Sequence, residues 1–397
     1  MLSKCCLSQL NRDTLQSKKV LMRVDFNVPM RDGNITDDTR VRSVLDSIRF
    51  LIDRGAAVVL TSHLGRPGGK EISELSLAPV AKHLATLLGH DVPFLDACRG
   101  ERVKAAVANL REGQILMLEN LRFCLDEEAN VLEFAKDLSL GCDLFVQDAF
   151  GTVHREHAST FGVTKFLPSY AGLLVEKELA VLQQLFSADV SPVLAIVAGA
   201  KVSSKLGILQ HLLSHVDTLI IGGAMAYTFL KAKGFSVGNS LVEDSLLSEA
   251  ERVIAECKTQ GVSLYLPLDH IVSTSPSDEI NVQVTDSEEI PDGFCGLDIG
   301  PKTLACYEDL CASVNLILWN GPLGVFEVPT FSKGTAGVAR AVAASSAYTV
   351  VGGGDSVAAV CQLGLQSSID HISTGGGAFL EALEGRTLPG VVGLMDQ

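Results

Sequence analysis

Short runs of β-branched and aliphatic residues alternate along nearly the whole chain with longer segments of helical period. No other feature restricts the fold as much. A strand buried on both faces reads as an unbroken apolar run, and parallel strands can be joined only by a crossover, usually helical. Such runs predict strands at 20–28, 56–63, 114–120 and 144–150 in the first half. In the second half they predict strands at 193–200, 218–224, 263–272, 315–321, 348–353 and 371–375. Amphipathic stretches at 39–54, 78–88 and 245–258 fall between them. The expected class is α/β, with parallel sheets covered by helices on both faces.

A length of 397 residues suggests two or three domains, and an apolar content of 47% is ample for their cores. The boundary is expected within 169–192, where "SYAGLLVEKELAVLQQLF" has helical spacing and "SADVSP" breaks it. This predicts two doubly wound, Rossmann-like parallel-sheet lobes, with a connecting helix and hinge at 171–190.

In open parallel sheets, ligands bind beyond the carboxyl ends of the strands, where helix N-termini also point. The strands of the first half are followed by Asp25 and Asn27, by His63 and Arg66 in "SHLGRP", by Arg122 in "ENLRF", and by Arg155 in "DAFGTVHREH". Those of the second half are followed by "AGAKVSSK", "GGAMAYT", "WNGPLGVFE", "VGGGDS" and "STGGGA". Of the arginines, 13 lie in residues 1–190 and 3 in 191–397, so guanidinium recognition of phosphate or carboxylate belongs to the first half. The second half instead offers glycine turns that let backbone approach a ligand, and helix N-termini that favour negative charge.

Lys201 follows a strongly apolar strand, and Lys205 four residues later would share its face if the segment were helical. Two common nucleotide motifs are absent. "GRPGGK" at 65–70 is one residue short of a phosphate loop, and "GGGDSV" has Val357 where the dinucleotide fingerprint needs glycine.

A net charge of −15 gives nucleic acid or an anionic membrane no general attraction. No apolar run reaches the length of a membrane span. The start, "MLSKCCLSQLNRDTLQSKK", lacks a signal-peptide core. Ten cysteines without a C-x-x-C pair read as free thiols of a reducing compartment, so a cytoplasmic location is expected.

Taken in order, "RVDFNVP", "SHLGRP", "LENLRF", "DAFGTVHREH", "GAKVSSK", "GGAMAYTFLK", "LPLDH", "GLDIGP", "WNGPLGVFE", "VGGGDS" and "STGGGA" resemble phosphoglycerate kinase over nearly the whole chain. The resemblance implies reversible phosphoryl transfer between ATP and the carboxylate of 3-phosphoglycerate, by a monomer whose lobes close on the two substrates. It places Asp25, Phe26, Asn27, Arg40, His63, Leu64, Gly65, Arg66, Arg122 and Arg155 around the acid. It places Lys205, Gly300, Asn320, Glu327, Gly353, Gly354, Asp355 and Ser356 around the nucleotide, with Asp355 as the protein contact of Mg²⁺. Arg40 and Lys201 are the implied catalytic residues, and the C-terminal segment from about Glu384 is expected on the N-terminal lobe. The resemblance thus divides the chain into 1–170 with 384–397, the connector 171–190, and 191–383.

The chemistry accounts for an absence. A carboxylate acceptor is already ionised at neutral pH and needs no protein base. Catalysis then reduces to positioning and charge stabilisation. Of two rivals, an NAD-dependent oxidoreductase lacks its fingerprint and an acidic ribose ligand at the expected offset, and a bilobal anion-binding protein leaves Lys201 and the 352–356 loop without a joint role.

Overall fold

The computed structural model describes residues 3–397. They form two compact units, one reaching Ala180 and including Thr387–Gln397, the other Val181–Arg386.

The first unit holds a six-stranded sheet in the order Phe94–Leu95, Ile115–Leu118, Ala57–Thr61, Lys19–Arg23, Leu144–Gln147, Ser169–Ala171. Every pairing is parallel. Alternation along each strand divides its side chains between two cores. Val20, Met22, Val58 and Leu60 pack with Ile48 and Leu51 of the helix Leu45–Asp53 and with Val80 and Leu84 of Ala78–Leu88. Leu21, Val59 and Leu116 face the other way, against Val103, Val107, Phe134 and Leu138 of Glu101–Asn109 and Leu132–Ser139. Later strands are laid on one side of Lys19–Arg23 until Leu144–Gln147 takes the other. Their carboxyl ends therefore open on a topological switch point.

The sheet of the second unit runs Ser263–Tyr265, Thr218–Gly222, Val193–Ala198, Leu316–Asn320, Tyr348–Gly352, His371–Ile372, again all parallel. Its order reverses between Val193–Ala198 and Leu316–Asn320. All six residues of Val193–Ala198 are buried, as are all five of Leu316–Asn320. The expected α/β class with parallel sheets is what the chain adopts.

Several elements differ from expectation. The run at 263–272 is two strands, since Pro267 cannot continue a ladder. Ser263–Tyr265 joins the parallel sheet, while His270–Ser273 pairs antiparallel with Gln283–Val284 and Cys295–Ile299. The segment 39–54 divides into Thr39–Arg42 and Leu45–Asp53. Ser169–Ala171 is an edge strand rather than the start of the long helix, which spans Leu173–Leu185.

That helix starts on a buried carboxylate. Asp148 accepts from the backbone N–H of Leu174 at 2.9 Å and of Val175 at 3.2 Å. Burial raises its carboxyl to about 7. Gly172 has no side chain because a Cβ there would lie 2.3 Å from the Asp148 carboxylate. The C-terminal segment packs on the first unit: Gly390 N–H donates to Val153, Met395 N–H to Ser169, and Lys4 Nζ reaches Asp396 at 2.7 Å.

Candidate functional site

The turns past the first sheet gather cations around one histidine. His63 is buried, and its Nδ1 lies 3.2 Å from a guanidinium nitrogen of Arg23 and 3.8 Å from Asp25. Burial, followed by the charges of Arg23, Arg122, Arg155 and Arg40, holds the imidazole well below its ordinary range. A guanidinium can only donate, so Nδ1 accepts and the neutral ring carries its proton on Nε2.

Short hydrogen bonds fix the surrounding loops. Asn27 Oδ1 accepts from the Gly65 N–H at 2.9 Å, and the Asn27 carbonyl accepts from Arg40 at 2.9 Å. Arg40 also lies 3.2 Å from Asp25. Arg122 donates to the Gly65 carbonyl at 2.7 Å and pairs with Glu128 at 3.3 Å. Asn120 clamps Leu64 from both sides, accepting from its N–H and donating to its carbonyl. Gly65 has a φ of +64°, and a Cβ there would press on Leu75 at 2.7 Å. Arg66 is exposed at the tip, and Arg155 is half-buried beside His154.

Not every expected residue presents its side chain. Phe26 and Leu64 are core residues under the turn, with exposures of 0% and 2%, so their side chains are not presented to a ligand. Conversely, Arg23 carries much of the local charge from inside a strand, 1% exposed. Its one sequence signal is a cation closing the apolar run "VLM".

The second unit is built on glycines. A cavity at the carboxyl ends of its strands is lined by Gly199, Gly223, Gly296, Leu323, Glu327 and Asp355 among others. Gly223 has a φ of +67°, and a Cβ there would lie 2.7 Å from the Gly199 backbone. A Cβ on Gly321, at a φ of +98°, would meet the Ala198 carbonyl oxygen at 1.9 Å. These loops can touch only without side chains.

Lys205 donates to Asn320 Oδ1, and Asn320 Nδ2 donates to the Gly352 carbonyl at 2.7 Å. Burial lowers Lys205, while Asp355 and Glu384 oppose that shift. Ser356 turns its hydroxyl inward to the Gly352 carbonyl at 2.6 Å. Gly354 and Asp355 are exposed at the start of the helix Gly354–Gln362, above Gly353. Phe379 is fully buried and packs beneath Gly352.

One expectation about the lysines does not hold. The segment from Lys201 to Lys205 is a turn, since the helix begins at Leu206, so the lysines share no helical face. Lys201 is exposed, and among the described residues it has no ion-pair partner. Gly300, like Lys205, Asn320, Gly353, Gly354 and Ser356, is outside the lining of this cavity, where Glu327 and Asp355 stand. It lacks a side chain because Asp269, which caps the helix Pro301–Ala312 through Lys302 and Thr303, would collide with one at 2.3 Å. Gly296, four residues earlier and missed in the sequence, faces the cavity; a Cβ there would meet the Tyr227 hydroxyl at 2.1 Å.

No cluster of three or more metal-ligating side chains occurs among the described residues. Asp355 offers a lone carboxylate, which suits a cation that a phosphate ligand would also hold. No helix among the described residues is long and apolar enough to cross a membrane.

The model of the phosphoglycerate kinase family matches residues 10–386. A phosphoglycerate kinase of Trichodesmium erythraeum is 49% identical over 398 residues, covering 100% of both chains. One of Borrelia hermsii is 51% identical over 374 residues, covering 94% of this chain and 95% of its own. The solved structure of the Coxiella burnetii phosphoglycerate kinase superposes with a TM-score of 0.91 at 41% identity, covering 98% of each chain. That from Pyrococcus horikoshii superposes with 0.81 at 32% identity and the same coverage.

Proposed function

The chain belongs to the phosphoglycerate kinase family, and from that premise we propose how its residues carry out the reaction. The enzyme transfers a phosphoryl group reversibly between ATP and the carboxylate of 3-phosphoglycerate. The two NAD-dependent and anion-binding alternatives receive no support.

Our reading assigns the acid to the first unit. The observation that carries it is the convergence of Arg23, Arg40, Arg122 and Arg155 on a neutral His63, with Asp25, Glu127 and Glu128 set against them, one carboxylate fewer than the guanidinium groups. A dianionic phosphate and a carboxylate supply the missing charge. Asp25 and Asn27 hold Arg40 and the Gly65 turn in place, and His63 offers Nε2–H as a donor. Arg66 closes over the ligand from the rim.

The nucleotide belongs to the second unit, against the glycine floor and the start of Gly354–Gln362. Lys205, Gly300, Asn320, Glu327 and Gly353 to Ser356 surround it. Asp355 would hold Mg²⁺, which when bound neutralises and orients phosphate oxygens. Arg40 and Lys201 place positive charge where the phosphoryl group is in flight. Because acid and nucleotide belong to different units, transfer requires the units to close. A smaller radius of gyration by solution scattering with both substrates bound is expected; an unchanged radius would count against closure. We also infer a cytoplasmic monomer without a nucleic-acid partner, which the net charge of −15 supports.

A coupled assay with 3-phosphoglycerate, ATP and Mg²⁺ tests the reading, with glycerate as the control lacking a phosphate. Arg66→Ala should weaken acid binding by about 10–100-fold, the worth of a charge-assisted hydrogen bond. Nucleotide affinity should not move. Calorimetric titration of each ligand alone separates the two, and equal losses would remove Arg66 from the acid site.

A further inference from the structure

Two thiols meet beside the acid site without belonging to any sequence motif. Cys98 Sγ and Cys124 Sγ lie 3.0 Å apart, on loops 26 positions apart in the chain. Cys98 is buried behind, and Cys124 is partly exposed in front. The loops are clipped together next to the sulfurs, since Arg99 pairs with Asp126 at 2.7 Å. A disulfide needs the sulfurs at about 2.05 Å, so closure asks for roughly 1 Å of movement.

That movement falls on a functional segment. Cys124 directly follows the turn Leu121–Phe123, which carries Arg122, and directly precedes the helix Leu125–Glu128, which carries that arginine's partner Glu128.

We propose that Cys98 and Cys124 form a dithiol–disulfide switch, closed by exchange with a small-molecule disulfide, that displaces Arg122 and weakens acid binding. Cys124 has the character of the attacking thiol. Its hydrogen bond from Cys98 and the charge of Arg99 favour its thiolate, whereas the same hydrogen bond and burial push Cys98 up. The Cys124 thiolate attacks one sulfur of the oxidant, forming a mixed disulfide and expelling one thiolate. Cys98 then gives up its proton and attacks Cys124 Sγ, expelling the second thiolate. Two protein thiols are oxidised by two electrons, the oxidant is reduced to two thiols, and both protons end on those products.

The effect on acid binding rests on the assignment of Arg122 above; the cross-link does not. The full-length protein is incubated with oxidised glutathione, alkylated and mapped by peptide mass. A 98–124 linked peptide, short of two hydrogens, is expected. With it, KM for 3-phosphoglycerate should rise by about tenfold, consistent with an ångström-scale misplacement. KM for ATP should stay level, and dithiothreitol should reverse the change. The double variant Cys98→Ser/Cys124→Ser should keep the reduced enzyme's activity and lose the sensitivity. Absence of the linked peptide, a linked enzyme with unaltered KM, or sensitivity that survives in the double variant would each overturn the switch. Failure of the Arg122 assignment would show separately, as normal acid binding by reduced Arg122→Ala.

Discussion

Replacing Lys201 by alanine is expected to lower turnover by about 10²–10³-fold, the cost of removing one preorganised charge from a developing oxyanion. Lys201 follows the buried strand Val193–Ala198 through Gly199, whose φ is +138°. The strand fixes where the loop starts, and the loop leaves the ammonium exposed, its charge felt by Glu243 but in no close ion pair among the described residues. A lysine held in this way has its charge available for a reacting group. Interactions made only in the transition state lower kcat rather than raise KM. KM for ATP and for 3-phosphoglycerate should therefore stay within a few-fold of the parent. A variant with normal kcat and a raised KM for ATP would make Lys201 a ground-state nucleotide ligand. Lys205 differs in kind: it is half-buried and committed to Asn320, so its loss should disturb the loop as well as the ligand.

Much of the fold was legible because apolar runs report buried parallel strands directly. The ends of those runs were less so. The run at 20–28 leaves the ladder after Arg23, because "DFNVP" turns away while staying apolar enough to be buried. Burial and strand pairing are different conditions, and periodicity reports only the first. Short edge strands such as Phe94–Leu95 and Ser169–Ala171 carry too few residues to show a period at all.

The candidate site was legible where polar residues follow an apolar strand, as at His63 and Arg122, or end one, as at Asn320. It was obscure where the functional atom is a backbone atom or the polar group is buried. Gly296 and Gly300 stand four residues apart in "GLDIG", and nothing local to the sequence says which lines the cavity and which makes room for Asp269. Phe26 and Leu64 illustrate the converse, since their motifs were readable while their side chains serve the core. Glu127 and Ser159 were invisible for a third reason. Each lies in an ordinary polar stretch, and only the tertiary structure brings them under Arg23.

That buried arrangement yields the largest expected loss of stability. Glu127 is fully buried; it accepts from the Ser159 hydroxyl at 2.5 Å and from the Ser159 N–H at 3.0 Å. The same hydroxyl accepts from Arg23 Nε at 2.8 Å, so one serine bridges guanidinium and carboxylate. Burial lowers Arg23, and among its neighbours Glu127 opposes that most. Burial likewise raises Glu127, and Arg23 is the chief group holding it down. Glu127→Ala would strand the guanidinium in a low-dielectric region beside Arg122 and Arg155. Removing one partner of such a pair costs about 3–5 kcal/mol, far above the value of a surface ion pair. Denaturant titration should record that loss. The double variant Arg23→Met/Glu127→Leu removes both charges and should recover most of the stability, because well-packed apolar replacements of buried pairs are often neutral. Acid binding should not recover with it, since His63 would lose the donor that fixes its tautomer. If the double variant is as unstable as the single one, the cost lies in packing and not in the stranded charge. If it binds the acid normally, Arg23 has no part in presenting His63.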